Sequence, residues 1–153
     1  MCQGEENVDL YKVLSLYLIY MDKTEKYDYW LQHAQYDLDS ADAMHSSGRW
    51  FYVAFMCQQA LEKNCKGLYN YYVGDDVPKV HNIGLIAQKL ETALSITFSE
   101  EAYKLIDKLS ALYLNSRYPD FAVNSNINVK KEQADYYLSK TREVYSWLQT
   151  LKK

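Results

Sequence analysis

The chain has 153 residues and a formal charge of −3, a size that suits one domain and a balance that excludes a general basic surface for nucleic acid. Apolar residues make up 48% and charged residues 24%, so the chain is globular rather than disordered, and long enough to bury a core without metal or disulfide staples. Five glycines and two prolines leave few breakers, which favours long helices over turn-rich sheets.

Residues 1–26 read as an N-terminal extension, a helix or a docking arm. Positions 10–21 are apolar and tyrosine-rich but too short to span a membrane. They lack the basic n-region and small-residue cleavage site of a signal peptide. A charged run at 22–26 then marks the start of a domain covering 27–153. Its first helix spans about 27–46, where Trp30, Ala34, Leu38, Ala41 and His45 keep three- and four-residue spacing. Gly48 suits the position just past its end. The second spans about 50–73, with Phe51, Ala54, Phe55, Gln58, Leu61, Glu62, Cys65, Leu68, Tyr69 and Tyr72 on one broad face, and Gly74 and Pro78 stopping it. The third, about 82–94, turns Ile83, Ile86, Ala87 and Leu90 inward. Ser99 is the expected N-cap of the fourth, and Glu100 and Glu101 suit the positive end of its dipole. That helix fades near Asn115 and Ser116, because Pro119 disfavours helix just before it. A polar loop leads to the fifth, about 131–151, striped by Ala134, Tyr137, Leu138, Thr141, Tyr145 and Leu148. Strand-like alternation is absent. The expected fold is all-α, an antiparallel up-and-down helical bundle of about five helices.

The three cysteines, Cys2, Cys57 and Cys65, are odd in number and fit no zinc spacing. Cys57 and Cys65 lie about two helical turns apart, too far to bridge on one helix. They read as small buried apolar residues in a reducing, cytoplasmic compartment. His33 and His45 read as surface or edge residues. Three dispersed histidines do not argue for a metal, and no cofactor is expected.

Two apolar stripes are interrupted by polar groups. Asp37 shares a face with Trp30, Ala34 and Ala41. Advancing about 100° per residue from Phe51 brings Gln58 and Glu62 within about 20° of the stripe centre, with Lys66 at its shoulder. Burying such groups alone costs roughly 1–3 kcal/mol or more each, so they need partners. Arg117 and Asp120, where the fourth helix breaks, are candidates, and Arg117 would offer a planar fork to Glu62 or Asp37. The seam has two readings. It is a satisfied network that fixes helix register, or a polar cleft that receives phosphate or nucleotide groups. His81 likewise packs at a helix end, or serves a site near Lys66 or Lys79.

The order and spacing of Trp30, Leu31, Ala34, Asp37 and Leu38, of Phe55, Gln58, Gln59, Ala60, Leu61 and Glu62, of Lys66, Pro78 and His81, and of Arg117, Tyr118, Pro119 and Asp120 resemble the HEPN family, the higher eukaryote and prokaryote nucleotide-binding domain. The resemblance covers about 29–151. It implies a helical bundle that commonly forms homodimers and is often paired with a minimal nucleotidyltransferase in toxin–antitoxin-type modules. Many members are metal-independent endoribonucleases, marked by an arginine and a histidine separated by four to six residues, which supply acid–base and phosphate-stabilising groups across a dimer cleft. Here Arg117 is present, but the histidine positions are Ala122, Val123 and Asn124, and no histidine follows His81.

The expectation is therefore a non-catalytic HEPN-like module binding nucleotide, RNA or a nucleotidyltransferase partner. Asp37, Gln58, Glu62, Lys66, Arg117 and Asp120 would line or support the cleft. Arg117 and Lys66 would contact phosphate, with Asp37 and Glu62 orienting the arginine. One alternative is a metal-independent endoribonuclease with a divergent site, in which Arg117 stabilises the transition state and Tyr118, His81 or Glu62 handles protons. Another is a purely structural helical adaptor.

Overall fold

A computed structural model describes residues 10–117 and 128–153. Among them are six helices and no strand: α1 Leu10–Tyr20, α2 Lys23–Ser46, α3 Trp50–Tyr72, α4 Ile83–Leu94, α5 Glu100–Arg117 and α6 Lys131–Thr150. Five are the helices expected from periodicity. The sixth, α1, falls in the N-terminal extension.

Local chemistry sets the boundaries. α2 starts at Lys23, earlier than its apolar stripe, because Asp22 builds a capping box. Its Oδ1 accepts from the amides of Thr24 and Glu25 at 2.8 and 2.9 Å, and Glu25 Oε2 accepts from the Asp22 amide at 2.8 Å. Gly48, at φ 70°, follows the C-cap Ser47, in the left-handed conformation that glycine adopts without strain. Asn82 caps α4 by accepting from the Leu85 amide at 3.2 Å. The Ser99 hydroxyl oxygen accepts from the Ala102 amide at 3.1 Å, as expected for α5.

α2 and α3 form an antiparallel hairpin, so Trp30 meets Asn70 and Asp37 meets Lys63. α5 runs antiparallel to α3, setting Tyr113 against Phe55. α6 runs alongside α3 in the same direction, pairing Asn64 with Tyr145 and Tyr72 with Leu151. The short α4 carries the chain from the end of α3 to the start of α5. α3 therefore has neighbours on every side, which is why its buried set includes Ala60, Asn64 and Gly67 beyond the expected stripe. A Cβ on Gly67 would stand 3.0 Å from Trp30 Cβ, so this glycine permits the close approach of α2.

The core gathers Leu61, Leu68, Ile86, Leu90, Leu105, Ile106, Leu109 and Leu148, each at most 1% exposed. Burial of each such side chain contributes about 1.5–3 kcal/mol. Cys57 and Cys65 are buried free thiols. Burial pushes Cys57 up to about 11 and Cys65 up to about 12, so both behave as small apolar groups. Among the described residues no helix is long and apolar enough to cross a membrane.

Candidate functional site

The polar seam lies along α3, where Gln58, Glu62 and Lys66 follow one another at successive turns. Glu62 is only 4% exposed, and both of its oxygens are engaged. Oε1 accepts from Lys66 Nζ at 2.7 Å and lies 3.2 Å from His81 Nδ1. Oε2 accepts from Gln58 Nε2 at 2.8 Å and lies 3.3 Å from the same imidazole nitrogen. Gln58 Oε1 in turn accepts from Gln59 Nε2 at 2.6 Å. A carboxylate out of water is tolerable only with such partners.

His81 arrives from the segment joining α3 to α4. Asn82, not His81, caps α4, so the histidine is left to the seam. Half of its side chain is exposed, with one ring nitrogen on Glu62. Its ring sits 5.0 Å from that of Tyr113, which stacks on Phe55 at 5.3 Å. Arg117 is the last residue of α5, one helical turn beyond Tyr113 on the same helical row.

Gln58, Glu62, Lys66 and His81 are thus brought together. Asp37 joins a separate pair, accepting from Lys63 Nζ. The side chain of Arg117, and the whole of Tyr118 and Asp120, lie outside the described residues. The described counterions of the seam are lysines, Lys63 for Asp37 and Lys66 for Glu62. Lys63 and Tyr113 were not anticipated as site residues. Lys63 follows Glu62 directly in the chain, and only the pairing of α2 with α3 reveals its partner.

Lys66 also opens onto a groove of about 460 Å³ between α1, α2, the end of α3 and the linker that follows it. Its ammonium lies 5.8 Å from the Trp30 ring centroid. Trp30 is held by a 2.6 Å hydrogen bond from Nε1 to Asn70 Oδ1, and Asn70 donates back to the Gly74 carbonyl at 3.1 Å. Among the described residues, no three His, Cys, Asp or Glu side chains are grouped as a metal site.

An all-α up-and-down bundle with a buried glutamate holding a lysine and a histidine defines the class of molecule. The HEPN domain family matches residues 27–151, and the chain belongs to that family. TT1696 from Thermus thermophilus has a similar fold, with a TM-score of 0.71 and 21% identity over 82% of this chain and 98% of its own. ST0689, described as an archaeal HEPN homologue, gives a TM-score of 0.66 and 22% identity over the same shares. A comparison with curated proteins finds no match.

Proposed function

We propose that this HEPN domain binds the phosphate groups of single-stranded RNA at the Glu62 cluster. The observation that supports this reading is the convergence of Lys66 and His81 on one nearly buried carboxylate. Glu62 fixes both side chains in position before a ligand arrives, so little rotamer entropy is lost on binding. Lys66 supplies a permanent cation, and His81, whose Nδ1 is committed to Glu62, can donate from its free Nε2 only as an imidazolium. Arg117, in this reading, adds a second cation from the end of α5. Asp37, through Lys63, holds α2 in register beside the cluster.

Fluorescence anisotropy with a short labelled RNA tests the proposal. Lys66→Ala and Arg117→Ala should each weaken binding by about tenfold or more, the worth of one charge-assisted hydrogen bond. His81→Ala should weaken it less. Unchanged affinity in all three would refute the reading. The module is also proposed to act as a homodimer. Tyr52, half exposed and in ring contact with Phe55, is an apolar group that such an interface would cover. A minimal nucleotidyltransferase, in a toxin–antitoxin-type pair, is the partner the family suggests. Co-purification of the two from one expression strain would support that pairing.

One observation favours a second reading, a metal-independent endoribonuclease. His81 packs on Tyr113, one turn before Arg117, so a histidine from another segment reaches the end of α5 that carries the arginine. RNA cleavage in the presence of a chelator, lost in His81→Gln, would establish it. Intact RNA under those conditions would leave the binding reading alone.

A further inference from the structure

α5 and α6 each pack more closely on α3 than on one another, and beside the first turns of α5 they leave an apolar groove of about 260 Å³. We propose that this groove receives an arginine side chain of a partner polypeptide, its aliphatic stem against Trp147 and Leu105 and its guanidinium at Glu101 and Glu143.

Helical spacing builds the groove. The two helices run antiparallel, with the Phe98 ring 4.8 Å from that of Trp147 at one end and the Lys108 ammonium 5.4 Å from the Tyr136 ring centroid at the other. On α6, Lys140, Glu143, Val144 and Trp147 recur at three- and four-residue steps and so share a face. Opposite them α5 presents Glu101, Ala102 and Leu105. Ala102 is short where a longer side chain would close the gap. Ala102 and Leu105 are 3% and 1% exposed, whereas Val144 and Trp147 are only partly buried. Apolar wall is thus left facing water, an unfavourable contact that a bound side chain removes.

Size and charge name the occupant. Small-molecule sites run upward from about 300 Å³, so this groove suits one side chain better than a drug-sized ligand. The side chains that anchor interfaces by filling such pockets are chiefly Trp, Tyr and Arg. The rim selects among them. Glu101 stands on one helix and Glu143 on the other, and Lys140 is the one cation among the described lining residues. Its ammonium donates to Glu143 Oε2 at 2.9 Å. The hydrogen bond and charge of Glu143, and then the charge of Glu101, hold Lys140 above its ordinary value, so a single ammonium serves two carboxylates. A second cation balances the rim. Arginine meets every wall: its fork matches a carboxylate, its plane stacks on an indole, and its stem is apolar. Glu143 is 61% exposed, so it can turn toward an incoming guanidinium without first leaving water. None of these residues belongs to the Glu62 cluster, and the proposal stands apart from the RNA reading.

Titration of the nitrogen-15-labelled full chain with the blocked peptide acetyl-Ala-Arg-Ala-amide tests it. The readout is the indole N–H resonance of Trp147, assigned by its loss in Trp147→Phe. That resonance should shift to saturation. A peptide with norleucine in place of arginine should bind about tenfold more weakly, and Glu101→Gln and Glu143→Gln should each weaken the arginine peptide by about as much, the worth of a charge-assisted hydrogen bond. A lysine peptide should bind several-fold more weakly, because an ammonium lacks the planar fork. Lys140→Met keeps the stem and removes the competing ammonium, so it should tighten binding by about threefold. These three substitutions lie on the rim and should leave the thermal midpoint close to that of the parent. Free L-arginine, whose own carboxylate the rim repels, should bind more weakly than the blocked peptide. An unmoved Trp147 resonance, equal affinity for the norleucine or lysine peptide, or unchanged affinity in both glutamate variants would overturn the proposal. Tighter binding by free L-arginine would overturn the polypeptide partner and assign the groove to a small molecule.

Discussion

Two histidine–carboxylate pairs occur among the described residues, and they differ in everything except composition. His45 and Asp135 tie the end of α2 to the start of α6, with both side chains partly exposed. Lys131 also donates to Asp135, from one turn earlier on the same helix. His81 and Glu62 tie the α3–α4 linker to the central helix, and only the histidine reaches solvent. The first pair fastens two helix ends. In the second, a carboxylate withdrawn from water orients an enclosed lysine and a half-exposed histidine. Burial of the acid, rather than the presence of a histidine, separates a latch from a candidate site.

The largest expected effect tests that distinction directly. Glu62→Ala should cost about 3 kcal/mol in urea unfolding, because it strands the enclosed Lys66 ammonium. A loss as small as that of an exposed pair would mean that water reaches the seam. Glu62→Gln should cost less, about 1–2 kcal/mol, since the amide keeps an acceptor for Lys66. It should also weaken RNA binding, because a neutral group holds the lysine less firmly.

The smallest effect belongs to the exposed pair. The hydrogen bond from His45, and then that from Lys131, hold the Asp135 carboxyl below its ordinary value. A depressed carboxylate stabilises the fold above its unfolded value, about 3.9, and that contribution disappears as pH falls through the folded value. Asp135→Asn should therefore lower the neutral plateau slightly and leave the acid end of the stability curve where it is, which flattens the limb between them. A large loss at neutral pH would show the latch to be a main support of the bundle.

Much of this was readable from residue spacing. Helical periodicity placed five helices, and rotation about α3 put Gln58 and Glu62 on its buried face, where burial makes partners obligatory. What periodicity cannot supply is the partner. Lys63 meets Asp37 because α2 and α3 pair antiparallel in one register, and His81 reaches Glu62 because the linker after α3 folds back. Gly67, inside α3, marks where α2 comes closest, which only the packed helices reveal. The start of α2 was hidden in the charged run at 22–26, where Asp22 and Glu25 act as a reciprocal cap rather than as a solvated boundary. Arg117, Tyr118 and Asp120 remain sequence candidates, since their side chains lie outside the described residues.

The central position of α3 has a consequence for exchange with solvent. Amides enclosed by four neighbouring helices open only when the whole bundle does, so those around Leu61 to Leu68 should be the slowest to take up deuterium. Gln58, Glu62 and Lys66 are carried on that slow segment. Their spacing is thus set by global stability rather than by local breathing.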